Sequence, residues 1–207
     1  MTSALRVTPS GLLSAGVDVA PAGLYALFAW AHWLSFCVAP RLSLVLIVLV
    51  ETLIACFILV RRSTKEASRS PWDWTLTVAG TLAPFLLRPT WAMNDLTGGE
   101  LVQVGGILLA TAAAASLNRS IGLVPAYREV KTRGVYRLIR HPLYCGYTIG
   151  NIGYLVSNFT AWNTLVVVGA FALQVLRIES EERYLSGYPD YRAYQARTPW
   201  RLLPFLY

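Results

Sequence analysis

Two clusters of charged side chains interrupt an otherwise apolar chain: KTRGVYRLIRHPLYCG at residues 131–146 and RIESEERYL at residues 177–185. In the first, Pro142 suits the first turn of a helix, where its missing N–H costs nothing. His141 and Tyr144 then sit at that helix entrance, where unpaired backbone N–H groups favour a carboxylate or another anion. In the second, Arg177 and Glu181 share one helical face, and Glu179 and Glu182 share another. Acids crowded at a helix C-terminus oppose the macrodipole, a cost that a cationic ligand relieves. Each cluster also has a plainer reading. Arg140, His141 and Tyr144 fit an interfacial anchor and aromatic belt, and the acids fit a solvated face balanced by Arg177 and Arg183.

Two further ionisable residues, His32 and Glu51, fall inside apolar runs. Such groups are expensive in a membrane and are candidates for function, here in lining an acceptor tunnel. The competing reading is a His–Glu pair that locks two helices together. His32 and His141 are the only histidines and lie far apart, so a protein-held metal has little support. Cys37, Cys56 and Cys145 lie in apolar segments without CxxC spacing and read as packing residues.

The elements that must position these groups are membrane helices. The 207 residues are 55% hydrophobic and 14% charged, with mean hydropathy +0.47, against about 25% charged residues in ordinary soluble domains. The net charge of +7 sits mostly between apolar runs rather than in a basic stripe with interleaved aromatics, which argues against nucleic-acid binding. The first twenty residues hold one Arg and no long apolar core, against a cleaved signal peptide.

Apolar patterning predicts an all-α polytopic bundle of five to six helices, over about 22–39, 42–60, 72–87, 101–117, 143–156 and 161–178. Pro40-Arg41 breaks the first pair, Pro84 reads as a kink, Gly98-Gly99 as a turn and Ser157-Asn158 as another. The fifth run is short enough to be a re-entrant hairpin with the sixth. Basic loops follow the second and fourth spans, which by the positive-inside rule puts both termini and both charged clusters in the cytoplasm, in an inner or plasma membrane. Residues 1–207 read as one domain, with 1–117 shaping an acceptor cavity and 118–207 forming a cofactor-binding core with a cytoplasmic pocket.

The pattern Thr132-x-Gly134-x-Tyr136, Arg140-His141-Pro142-x-Tyr144-x-Gly146, Arg177-x-x-x-Glu181-Glu182-x-x-Leu185 and Tyr191-x-x-Tyr194 resembles the isoprenylcysteine carboxyl methyltransferase and phospholipid methyltransferase superfamily of integral membrane proteins. It departs from relatives at Gly187-Tyr188-Pro189-Asp190, which is one residue shorter. The resemblance implies S-adenosylmethionine held by Val130, Lys131, Tyr136, His141, Pro142, Leu143, Tyr144, Glu181 and Glu182, with Arg177 facing the methyl acceptor. The cofactor's sulfonium and ammonium match the acids, and its carboxylate matches a helix start. In-line methyl transfer needs alignment above all. Arg177 can hold an ionised acceptor, while an amine or thiol acceptor needs a base, for which His141 is the candidate.

The expected function is therefore S-adenosylmethionine-dependent methylation of a lipophilic acceptor, an isoprenoid, a prenylcysteine-like carboxylate or a lipid. Two other classes compete. NADPH-dependent membrane sterol or isoprenoid reductases carry a similar C-terminal pattern on about twice the chain length, and a non-catalytic scaffold could bind anionic headgroups through its basic loops.

Overall fold

A computed structural model describes residues 9–62, 64, 67–90 and 97–207. Seven α-helices follow in order: α1 (Pro9–Val38), α2 (Leu42–Leu59), α3 (Pro71–Leu82), α4 (Thr97–Leu117), α5 (Pro142–Ser157), α6 (Ala161–Leu185) and α7 (Pro189–Arg197). Among the described residues there is no strand, only an isolated bridge between Ala67 and Ala126. All six predicted apolar segments are helical, and a seventh helix lies in the polar C-terminal part. Among the described residues, four stretches are long and apolar enough to cross a membrane: Val19–Val38, Leu42–Leu59, Gly98–Ser120 and Ala161–Leu185.

The other two apolar segments fall short. Helix α5 has 16 residues, about 24 Å against a hydrocarbon core of about 30 Å. Helix α3 ends at Leu82, and Pro84 lies in a 3-10 turn, Ala83–Leu86, so the chain stops there instead of kinking onward. Pro84 lacks the N–H that another α-helical turn requires. The connection between the third and fourth apolar segments, residues 88–100, holds one Arg and two acids in the sequence and lies partly outside the described residues.

Helices α4 and α5 pack antiparallel with their backbones almost in contact. A Cβ on Gly106 would lie 2.3 Å from the Gly150 nitrogen, one on Gly146 2.6 Å from that of Ala110, and one on Gly153 2.3 Å from that of Gln103. Small residues permit this approach, and close packing drives helix association where lipid removes the hydrophobic incentive. Gly98 and Gly99 begin α4 instead of forming a turn, and the same ladder explains Gly99, whereas Gly98 faces open space. A Cβ on Gly99 would strike Ser157 Oγ at 2.2 Å. Gly105, by contrast, faces open space.

Helix α2 packs against α1 and α4 through Val50, Ile54 and Ile58 in a cluster that includes Ala22 and Ile107. Helix α6 is capped by the Thr160 hydroxyl, which accepts from the Asn163 N–H at 3.0 Å. At that end Asn163 and Asn158 bond the backbone of Arg88 and Thr90, satisfying a turn that would otherwise bury unpaired groups. The α4–α5 ladder and the α6 packing set the α5 entrance beside the last turns of α6, and both charged clusters meet there.

Candidate active site

The turn that opens α5 is fixed from three sides. Gly134 begins a 3-10 turn, Gly134–Arg137, with φ +62°, a left-handed conformation that favours glycine. The N–H groups of Arg140 and His141 donate to the carbonyls of Trp200 and Arg201, each at 2.9 Å. Pro142 is fully buried at the start of the helix.

From this turn Arg140 reaches Glu182 bidentately, Nε to Oε1 at 2.8 Å and Nη2 to Oε2 at 2.9 Å. Its remaining terminal nitrogen donates to the Thr198 and Pro199 carbonyls at 2.7 and 2.8 Å. Glu182 also takes Tyr191 Oη at 2.8 Å and Gln195 Nε2 at 2.7 Å, and His141 Nε2 lies 2.8 Å from its Oε1. Such a charge-assisted network fixes geometry more than it stabilises, because two charges have left water. Its members join the α5 start, the α6 end and α7. Tyr191 and Tyr194 have their phenol pKa values pushed up, first by burial; at Tyr191 the neighbouring Glu182 charge adds to this. Both therefore remain hydroxyl donors, and Tyr194 donates to the Tyr136 carbonyl at 2.7 Å.

Glu181, one residue away, points elsewhere. Its carboxylate accepts from the Tyr144 hydroxyl, and its second oxygen lies 3.8 Å from His141 Nδ1. Glu181 borders a cleft of about 140 Å³ walled also by Val130, Lys131, Tyr136, His141, Leu143 and Tyr144. The hydroxyl of Ser120, also on the wall, is buried without a hydrogen-bond partner. The outer wall is a strap, residues 119–131, bound to the preceding loop by Ser68 N–H to the Pro125 carbonyl at 2.8 Å, Thr64 Oγ1 to the Tyr127 carbonyl at 2.7 Å and an Arg62–Glu129 ion pair. The cleft is smaller than the ~300–1,000 Å³ of typical ligand sites.

Pro142 and Glu182 are not on the cleft wall. Their buried positions make them supports of the turn, and the expectation that the whole acid cluster awaits a cation is corrected for Glu182, which Arg140 neutralises. Arg177 lies behind the cleft. Its guanidinium carbon is 5.2 Å from the Tyr144 ring centroid, and Nη2 donates to the Leu123 carbonyl at 3.1 Å. Its side chain crosses Gly80 of α3, where a Cβ would come within 3.0 Å of Cδ. Among the described residues no carboxylate is ion-paired with it. His32 Nδ1 and Glu51 Oε2 are 2.9 Å apart and bridge α1 to α2, as the pairing reading expects.

Residues 103–187 match the family model described as the isoprenylcysteine carboxyl methyltransferase family. Through this segment, 85 of the 207 residues, the chain is similar to that family. It is 34% identical over 115 residues to protein-S-isoprenylcysteine O-methyltransferase A of Arabidopsis thaliana, covering 52% of this chain and 56% of that protein. It is 32% identical over 122 residues to the B protein of the same plant, covering 55% and 60%. The chain thus spans little more than half the length of the curated relatives it matches. The matched family segment begins inside α4 and ends just past α6, so it contains the strap, the α5 turn and both glutamates, while α1 to α3 lie outside it.

The sequence reading did not single out Gln195, Ser120 or the Tyr127–Asp190 bond, at 2.6 Å, that ties the strap to α7. Gln195 could have been found, since it falls four residues after Tyr191 and hence on the same face of a helix. Ser120 carries no local signal.

Proposed function

We propose that the protein is an integral membrane methyltransferase that uses S-adenosylmethionine to esterify the carboxylate of a lipophilic acceptor, an isoprenylated cysteine or a related lipid acid. Arg177 carries this reading. It is a buried cation with one neutral carbonyl, one aromatic face and, among the described residues, no carboxylate partner. A buried guanidinium with unused donors is costly. An acceptor carboxylate held bidentately satisfies it and leaves the apolar tail among the membrane helices.

The cleft residues suit the cofactor. Glu181 offers an acid to cationic groups, Ser120 an unpaired hydroxyl, and Tyr136 and Leu143 apolar surface for a base. When bound, S-adenosylmethionine supplies an electrophilic methyl group on its sulfonium. Tyr144 divides the two half-sites, with its hydroxyl on Glu181 and its ring against Arg177. An ionised carboxylate needs no deprotonation. His141, its nitrogens facing Glu182 and Glu181, therefore orients the turn in this reading and removes no proton. The basic strap supports a cytoplasmic site under the positive-inside rule.

Detergent-purified protein titrated with S-adenosylhomocysteine and with NADP tests the cofactor. The former should bind, with at least about tenfold loss in Glu181→Gln, the scale of one lost charged hydrogen bond; binding of NADP alone, or of neither, overturns the reading. Radiolabelled methyl transfer to S-farnesylcysteine, followed by alkaline release of the label as methanol, tests whether an ester forms.

A further inference from the structure

Residues 198–207 fold back on the start of α5 and expose an apolar tip that neither the cleft nor the helix bundle uses. Leu202 is buried against Ile139 and Ile178, and Trp200 and Tyr207 pack on the same cluster. A tight turn follows, in which the Tyr207 carbonyl accepts from the N–H groups of Arg201, Leu202 and Leu203 at 2.8–3.0 Å. Phe205 is held in it at φ +67°, a left-handed conformation that bulky residues rarely adopt. The turn presents Phe205 at 85% exposure, Leu206 at 82% and Leu203 at 49%, and Leu138, beside the backbone pairing, is 67% exposed.

Two observations fix the level of this tip in the membrane. Trp200 and Arg201 bond the backbone N–H groups of Arg140 and His141, where α5 begins. Arg140 in turn pairs with Glu182, in the last turn of the spanning stretch Ala161–Leu185. The tip therefore lies where helices leave the hydrocarbon, the depth at which Trp and Arg anchor. Its surroundings carry one sign of charge. Neither residues 130–141 nor residues 191–207 contain an acid, and Arg133, Arg137 and Arg197 are exposed without ion pairs among the described residues.

We infer that residues 198–207, with Leu138, form an interfacial anchor that dips its apolar tip into the leaflet at the α5 entrance and binds anionic lipid headgroups through Arg133, Arg137 and Arg197. Exposed apolar tips beside basic side chains bind such interfaces by burial and by headgroup charge together. The anchor's backbone holds the Arg140–His141 turn, so lipid contact braces the candidate active site from outside the cleft.

A nitroxide on Leu206→Cys, in a Cys37→Ser/Cys56→Ser background, reports its depth in the intact protein. The protein is reconstituted in phosphatidylcholine or in an equal mixture with phosphatidylglycerol. Collision with oxygen should exceed collision with a water-soluble nickel chelate, opposite to a label at Arg192→Cys on the exposed face of α7. Anionic lipid should deepen the label, and each of Arg133→Gln, Arg137→Gln and Arg197→Gln should shift the tip toward water by roughly fivefold in phosphatidylglycerol. A label at 206 as open to nickel as one at 192, or immersion indifferent to both lipid charge and the arginines, overturns the inference. The readout requires no methyl transfer, so its outcome is separable from that of the proposed activity.

Discussion

Arg140→Met offers the sharpest test of the network beneath the cleft. The substitution removes four hydrogen bonds and the bidentate partner of Glu182, and leaves that carboxylate 4% exposed with Tyr191, Gln195 and His141 around it. Breaking one side of a buried ion pair costs about 3–5 kcal/mol. Because three neighbours still bond Glu182, the lower end applies, about 3 kcal/mol. At roughly 2–4 °C per kcal/mol for a chain of this size, the Tm falls by about 6–12 °C. Tryptophan-fluorescence melting in detergent measures it. The double variant Arg140→Met/Glu182→Met removes both charges and should recover most of the loss, since apolar replacement of a whole buried pair is often neutral. An Arg140→Met protein that melts with the parent, or a double variant no more stable than the worse single one, would refute the hub assignment.

Gly80→Ala places a methyl within 3.0 Å of Arg177 Cδ; it should raise the acceptor KM about tenfold or more while S-adenosylhomocysteine affinity, read by calorimetry, stays within twofold. In the α4–α5 ladder, Gly106→Ala has no room and should lose about 1–3 kcal/mol or more in thermal melts, whereas Gly105→Ala, facing open space, should be neutral or slightly stabilising. The Glu129 carboxyl is held below its usual range, first by the hydrogen bond from Lys131 and then by the charges of Lys131 and Arg62. A lowered folded pKa means the strap tether is complete above the unfolded carboxylate value and is lost as pH falls through the folded one. Limited proteolysis of the strap should therefore quicken as pH falls below the usual carboxylate range, and Glu129→Gln should show that faster cleavage at neutral pH. Glu51→Gln should change acceptor preference with cofactor affinity intact if the His32–Glu51 pair borders the acceptor path; lost thermal stability with unchanged kinetics would assign it to helix locking alone.

The sequence by itself determined the class, the six apolar helices and the two charged clusters that meet. Apolar run length, proline placement and the RHP-to-glutamate pattern are local signals, and membrane helices satisfy their own backbone groups, so local signals suffice to place them. It also offered a His32–Glu51 pair as one of two readings, since they lie eight residues before and eleven after Pro40 and a helical hairpin fixes that register. What it could not determine was which acid does what. Glu181 and Glu182 are adjacent and chemically alike, yet a helix turns about 100° between them. That rotation sends Glu182 into the Arg140, Tyr191 and Gln195 network and leaves Glu181 on the cleft. Arg177 likewise acquired meaning only from what surrounds it: a glycine on α3, a tyrosine ring on α5 and, among the described residues, no paired carboxylate. Partner identity for a buried charge is a property of several helices at once, and only their packing decided it.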